Sequence, residues 1–172
     1  MARLALVLAL LSLAGTSAHA NSTRRVGEVG VSLTLPSGWH SWLPSTALRP
    51  SITDPLTRVV AVSAPFQFAA TGCQVAAYAF PATAVAIVVL EWVRSVGPPM
   101  PSFPPRPSRF DAKALALHPA PAIECFDGPG GSTDFTDHGR SFGVYILAGQ
   151  KATAATIARA RAVLDTLRVQ AR

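Results

Sequence analysis

The residues with which this chain could do acid–base or nucleophilic chemistry are few and far apart. Beyond residue 20 there are three histidines, His40, His118 and His138, and two cysteines, Cys73 and Cys125. The carboxylates of interest are Glu91, Asp134 and Asp137. A phosphate-binding loop needs glycines that run into a helix carrying a Lys-Ser or Lys-Thr pair. "DGPGGSTD" has the glycines and neither of the other parts. No nucleophile elbow between a strand and a helix is expected, and no Ser-x-x-Lys acylation motif is present. Zinc would want His and Cys ligands at short spacing, and these are scattered.

Asp134, Asp137 and His138 form the densest polar cluster. A calcium loop supplies oxygens in a defined run, and Phe135 and Thr136 interrupt this one. On a strand, Asp134 and Asp137 also point to opposite faces. The cluster therefore reads as a polar hairpin tip, with no metal and no cofactor expected. Glu91, at the end of an apolar run, reads as the exit of a strand to solvent, paired with Arg94. The cysteines admit two readings. An even pair in an exported chain is one disulfide, Cys73–Cys125. The rival is a catalytic thiol working with His118 or His138.

Two features suit binding. Trp39 and Trp42 could stack on a sugar or a lipid, although tryptophans beside a turn more often cap a core. "GPPMPSFPPRPSRF", residues 97–110, holds six of the fifteen prolines. Its Pro101-x-x-Pro104-x-Arg106 spacing matches ligands that aromatic grooves read as a polyproline II helix. The usual readers are intracellular, so a stiff connection across a sheet edge, with Phe103 and Phe110 tucked inward, is the preferred reading. Trp39, Trp42, Phe103 and Arg106 are the candidate partner-binding residues.

The elements that must position these groups begin after a leader. "MARLALVLALLSLAGTSAHA" has Arg3, an apolar run from Leu4 to Leu13 and a small-x-small site at Ala18-His19-Ala20. That is a secretory signal peptide over residues 1–20. The apolar run is too short to span a bilayer, which needs roughly 20 residues. Secretion or residence in the cell envelope is expected, with no membrane span after cleavage. Residues 21–28 read as a flexible N-terminus and 29–172 as one domain with room for a core. The formal net charge is +6, and Lys113 and Lys151 are the only lysines among fifteen basic residues. With the alanine and proline content, this suggests a GC-rich bacterial genome. The arginines are scattered without interleaved aromatics, so specific nucleic-acid binding is not expected.

Within the domain, "GVSLTLP" alternates like a half-buried strand. "TRVVAVSAPF" is a second strand, with Val60 and Val62 on one face. Val85 to Leu90 reads as a central strand buried on both faces. "GCQVAAYAF" is read as a short helix, and "RFDAKALAL" and "PAIECF" as strands. "TDFTDHGRSFGVYILAG" is a hairpin turning at Asp137-His138-Gly139-Arg140. Near the C-terminus, Ile157, Ala160, Leu164 and Leu167 make one stripe of an amphipathic helix capped by Thr153, with Arg161, Asp165 and Arg168 in solvent. The sum is an α+β fold. It has a mostly antiparallel sheet of about six or seven strands, a C-terminal amphipathic helix and one further short helix.

Two of these pieces, "GVSLTLPSGWH" and "GRSFGVYILAGQKATAATIARARAVLDTLRV", together resemble secreted actinobacterial proteins with a PsbP-like α/β/α sandwich. The segments "VVLEWV", "FPPRPSRF" and "ECF" are similar to the same group. The resemblance implies an antiparallel sheet flanked by helices and a binding or assembly accessory, and it carries over no catalytic residues.

The expected function is a non-catalytic exported binding or accessory domain, whose partner is a protein or an envelope component. The alternative is a secreted hydrolase or thiol enzyme assembled from distant loops by His118, His138 and Asp137. A pocket placing a histidine beside Asp134, Asp137 or Glu91 would favour the alternative. The disulfide would close a loop of about 50 residues, worth about 4 kcal/mol on the chain-entropy model. Thiol titration of the denatured, unreduced exported protein should find no free thiol, and two after reduction. Two free thiols before reduction would leave the catalytic-thiol reading standing.

Overall fold

The computed structural model describes residues 22–43, 55–69, 77–93, 102–119, 122–123 and 126–172. The leader, both cysteines and Arg94 lie outside them. Ten strands and one helix follow in order: β1 Thr23–Glu28, β2 Val31–Pro36, β3 His40–Trp42, β4 Leu56–Val62, β5 Gln67–Ala69 and β6 Ala77–Ala79. Then come β7 Val85–Trp92, β8 Gly130–Asp137, β9 Arg140–Ala148, α1 Ala154–Leu164 and β10 Arg168–Val169. The α+β class holds, but the strands do not form one sheet. They divide into a five-stranded sheet β3-β4-β7-β9-β8, a three-stranded sheet β1-β2-β10 and a β5-β6 ribbon.

β7 is the middle strand, as its unbroken apolar run requires, and every residue from Val85 to Glu91 is buried. Its two faces feed two cores. Val85, Ile87 and Val89 join Val59, Ala61, Phe142, Val144 and Ile146 under α1 and the three-stranded sheet. Ala86, Val88 and Leu90 join Val60, Val62 and Leu147 on the other face, against half-buried Trp42, Phe66, Phe80 and Phe126. Phe80 and Phe126 stack there with ring centroids 5.5 Å apart. In the first core Phe135 lies between Phe110 and Phe142, 5.6 Å from each.

α1 begins where Thr153 accepts a hydrogen bond from the Thr156 amide at 3.2 Å, and it buries Ala160, Val163 and Leu164. Arg161 is not in solvent: it donates to the Leu115 carbonyl at 3.0 Å. Asp165 accepts from the Phe110 amide at 2.7 Å.

Several elements differ from expectation. Residues 23–28 form β1 rather than a frayed end, paired along their whole length with β2. Ala77–Ala79 is a strand, not part of a helix, because it completes a ladder with Gln67–Ala69. Residues 112–114 make a turn, not a strand. Asp111 caps it by accepting from the Lys113 and Ala114 amides, both at 2.9 Å. An Asp side chain that satisfies local amides competes with sheet pairing, and alternation alone cannot reveal this. Ala122 and Ile123 lie in a bend, not a strand.

The proline segment shields the outer edge of β8. The Arg106 amide donates to the Thr136 carbonyl at 3.0 Å, and the Thr136 amide to the Pro104 carbonyl at 2.7 Å. At the other end of the strand, His118 and Gly130 exchange amide bonds of 2.8 and 2.9 Å. Covering an edge in this way removes a template for intermolecular pairing.

The β1–β2 turn is strained. Val29 has φ 50°, Gly30 has φ 71°, and Val29 is 56 % exposed. Two positive φ values suit a two-residue hairpin loop, but a β-branched residue is poorly tolerated there. Val29→Asn should therefore stabilise the protein by about 1 kcal/mol in urea unfolding. A loss of stability would refute the strain.

Candidate functional site

A strand ending in a carboxylate ordinarily releases it to water, and Glu91 does not. It is 1 % exposed and lies on the Val89 face of β7, inside the sheet margin. Three arginines converge on it. Arg140 Nε donates to Oε1 at 2.7 Å and its NH2 group to Oε2 at 2.8 Å. Arg58 Nε donates to Oε2 at 2.6 Å, and the Arg172 NH2 group to Oε1 at 2.9 Å. Arg94, the partner expected from the sequence, lies outside the described residues.

Each arginine is positioned by the backbone. The register of β4 on β7 shifts between Thr57 and Val59, so Arg58 is the extra residue of a bulge. Bulges re-aim side chains, and this one points a guanidinium at Glu91. Arg140 opens β9 just after a turn in which His138 and Gly139 have φ 50° and 71°. Its guanidinium also lies 5.3 Å from the Phe142 ring centroid and donates to the Gln170 carbonyl at 3.0 Å. Gln170 is fixed in turn by its amide bond to the Gly30 carbonyl at 2.8 Å, which brings Arg172 to the cluster.

Burial pushes the Glu91 carboxyl up. The hydrogen bonds and charges of Arg140 and Arg58 outweigh that and hold it below its ordinary value. Beside the cluster opens a cleft of about 450 Å³, lined by Trp92, His138, Ser141 and Arg172 among others.

The same hairpin turn brings one histidine to a carboxylate. His138 Nδ1 lies 2.7 Å from Asp137 Oδ1, while Asp137 Oδ2 accepts from Arg106 at 3.1 Å. Ser141 follows on β9. Gly139-Arg140-Ser141-Phe142-Gly143 has Gly-x-Ser-x-Gly spacing, a signal that the sequence reading passed over. Here the serine sits on a strand and not at a strand-to-helix elbow, and it makes no hydrogen bond with His138. The Asp–His link of a triad is present, and the His–Ser link is not.

The remaining sequence candidates lie apart. His40 is on the far edge strand β3 and His118 beside Gly130 at the opposite end of β8. Trp39 is buried in the first core, and Trp42 is half-buried against the second. Phe103 packs on Trp92 with centroids 6.2 Å apart. Arg106 is taken up by Asp137 and lies 5.5 Å from the Phe110 ring centroid. Asp134, on the outer face of β8, approaches the place that a Gly143 side chain would fill. The Trp92 indole Nε1 is close to the same place and buried without a hydrogen-bond partner. Among the described residues no three His, Cys, Asp or Glu side chains gather as metal ligands. No helix among them is long and apolar enough to cross a membrane.

The chain matches no family model, no curated protein and no solved structure.

Removing Glu91 would leave buried guanidiniums uncompensated, so Glu91→Ala should cost about 3–5 kcal/mol in chemical unfolding. A carboxyl held below its unfolded pKa adds stability that is present above that pKa. The contribution is lost as pH falls through the folded value. Stability should therefore drop as pH falls below about 4.5. Glu91→Gln should lack that part of the dependence, and an unchanged acid limb would show that the cluster does not govern it.

Proposed function

We propose that the chain is an exported, non-catalytic binding domain that acts as an accessory at the cell envelope or outside the cell. The observation that carries this reading is the state of Glu91. The carboxylate best placed in a cleft has every favourable acceptor position filled by guanidinium and is held ionised. A general acid or base needs a proton to exchange and a free position to exchange it through. Here the carboxylate instead serves as the anchor that holds arginines at the rim of an open cleft, which is an arrangement for recognition. The leader motif and the cysteine pair support export. The PsbP-like resemblance supports an accessory role.

A second reading is favoured by the Asp137–His138 contact. A histidine oriented by a carboxylate, with Ser141 three residues on, could become a hydrolytic site if a ligand drew the serine to the ring. The two readings part on single substitutions. In an envelope-retention assay with the purified exported protein, His138→Ala and Ser141→Ala should bind isolated bacterial envelope at least half as well as the parent. Neither should abolish any ester- or peptide-hydrolysing activity found on a substrate panel. A hydrolytic activity lost about a thousandfold in either variant would establish the enzyme reading instead.

A further inference from the structure

The face of β7, β9 and β8 that turns away from Glu91 carries a second polar grouping. The register pairs Asp134 with Gly143, Ser132 with Tyr145 and Trp92 with Ser141. Residues directly opposite in a ladder share a face. Gly143 leaves the middle of this patch without a side chain, and its neighbours lean over the gap. Asp134 Oδ1 stands 2.8 Å, and Trp92 Nε1 3.6 Å, from the point where a β-carbon on Gly143 would lie. Tyr145 Cε2 is 3.5 Å from the same point. Three side chains from three strands therefore converge on one place. The indole Nε1 is buried and has no hydrogen-bond partner. Asp134 opens to solvent on its outer side, and burial on its sheet side, opposed by no cation, pushes its carboxyl up. Burial, and then the charge of Asp134, push the Tyr145 phenol up.

A buried donor without a partner and a carboxylate without a donor each cost free energy, and together they define what would complete them. An anion would satisfy the indole N–H but meet the Asp134 charge. A cation would satisfy Asp134 but meet the positive edge of the indole. A hydroxyl satisfies both, because it accepts from the N–H and donates to the carboxylate. The two distances set end to end put Oδ1 and Nε1 no more than about 6.4 Å apart, and less wherever the three points are out of line. One oxygen that accepts at about 2.9 Å and donates at about 2.7 Å spans up to about 5.6 Å. The patch also reaches beyond one atom, with the Ser132 and Ser141 hydroxyls on the same face and the Tyr145 ring as an apolar wall. A few directed polar groups around aromatic surface suit a neutral polyhydroxylated ligand. We infer that this patch binds a neutral saccharide, one hydroxyl of which bridges Trp92 Nε1 and Asp134 while a C–H edge of the sugar rests on Tyr145. The inference rests on the binding reading and names a ligand class for it, on the sheet face opposite the arginine cluster.

Titration of the purified exported protein, followed by the indole N–H resonances, tests this with glucose, galactose, mannose and N-acetylglucosamine as probes. At least one sugar should shift the Trp92 resonance saturably, at a Kd of about 10 mM or tighter, while that of core Trp39 stays put. Asp134→Ala, at an exposed position, should keep the fold and weaken that binding about tenfold or more, the loss of one charged hydrogen bond. Trp92→Phe keeps a ring and loses the donor, and by calorimetry it should also bind more weakly than the parent. No saturable shift with any of the four sugars below about 100 mM, or an Asp134→Ala protein that binds like the parent, would overturn the inference. If Asp134→Ala moves the Trp92 resonance and no sugar does, the pair is only an internal link, and the inference falls in the same way. If the parent is still retained on envelope in those cases, the saccharide site alone is wrong. If retention is lost as well, the binding reading falls with it.

Discussion

One buried carboxylate ties β4, β7, β9 and the C-terminal segment together through their side chains. Glu91 sits on the central strand, and its partners lie 33, 49 and 81 residues away in sequence. Removing an ion pair from water costs several kcal/mol per ion, so a carboxylate stays in such a place only if its hydrogen bonds are complete. Here they are complete, and completing them specifies the structure. The bulge in β4 must fall at Arg58, the β8–β9 turn must end at Arg140, and the C-terminal segment must return past Gly30. Apolar packing would tolerate slippage in each of these places. A carboxylate with four directed donors does not.

The cluster also explains why the polar end of the sheet is a cleft. Guanidiniums that surround one anion repel each other and cannot pack as hydrocarbon does. The chain around them is therefore open, with Trp92 on one side and the β8–β9 turn on the other. The opposite arrangement holds at the Phe110–Phe135–Phe142 stack, where rings fill the space between sheet and helix.

The proline segment fits the same logic. Its Pro-x-x-Pro-x-Arg spacing is that of a ligand for another protein, but Arg106 turns inward to Asp137 and Phe110. The backbone of the segment pairs with Thr136 and so finishes the edge of the sheet. A stiff extended chain suits this task because it loses little entropy on docking.

Much of the framework was legible from local pattern. The β-branched run of β7, the alternation of β2, the turn at His138-Gly139 and the Thr153 cap each follow from nearest-neighbour physics. So does the face of β4 that carries Val60 and Val62. Where the reading failed, the deciding contact was distant or hidden in a side chain. β1 is polar and gains its order from β2. Residues 77–79 pair because 67–69 are beside them, and Asp111 captures its own amides. Ser141 is legible locally, in the Gly-x-Ser-x-Gly spacing of residues 139–143. Glu91 is the clearest division. The sequence by itself determined that an acidic residue closes the most buried strand, with arginines scattered through the rest of the chain. Only the tertiary structure decided that the acid stays inside. The energy that keeps it there comes from guanidiniums separated by up to 81 residues, and no local window contains them.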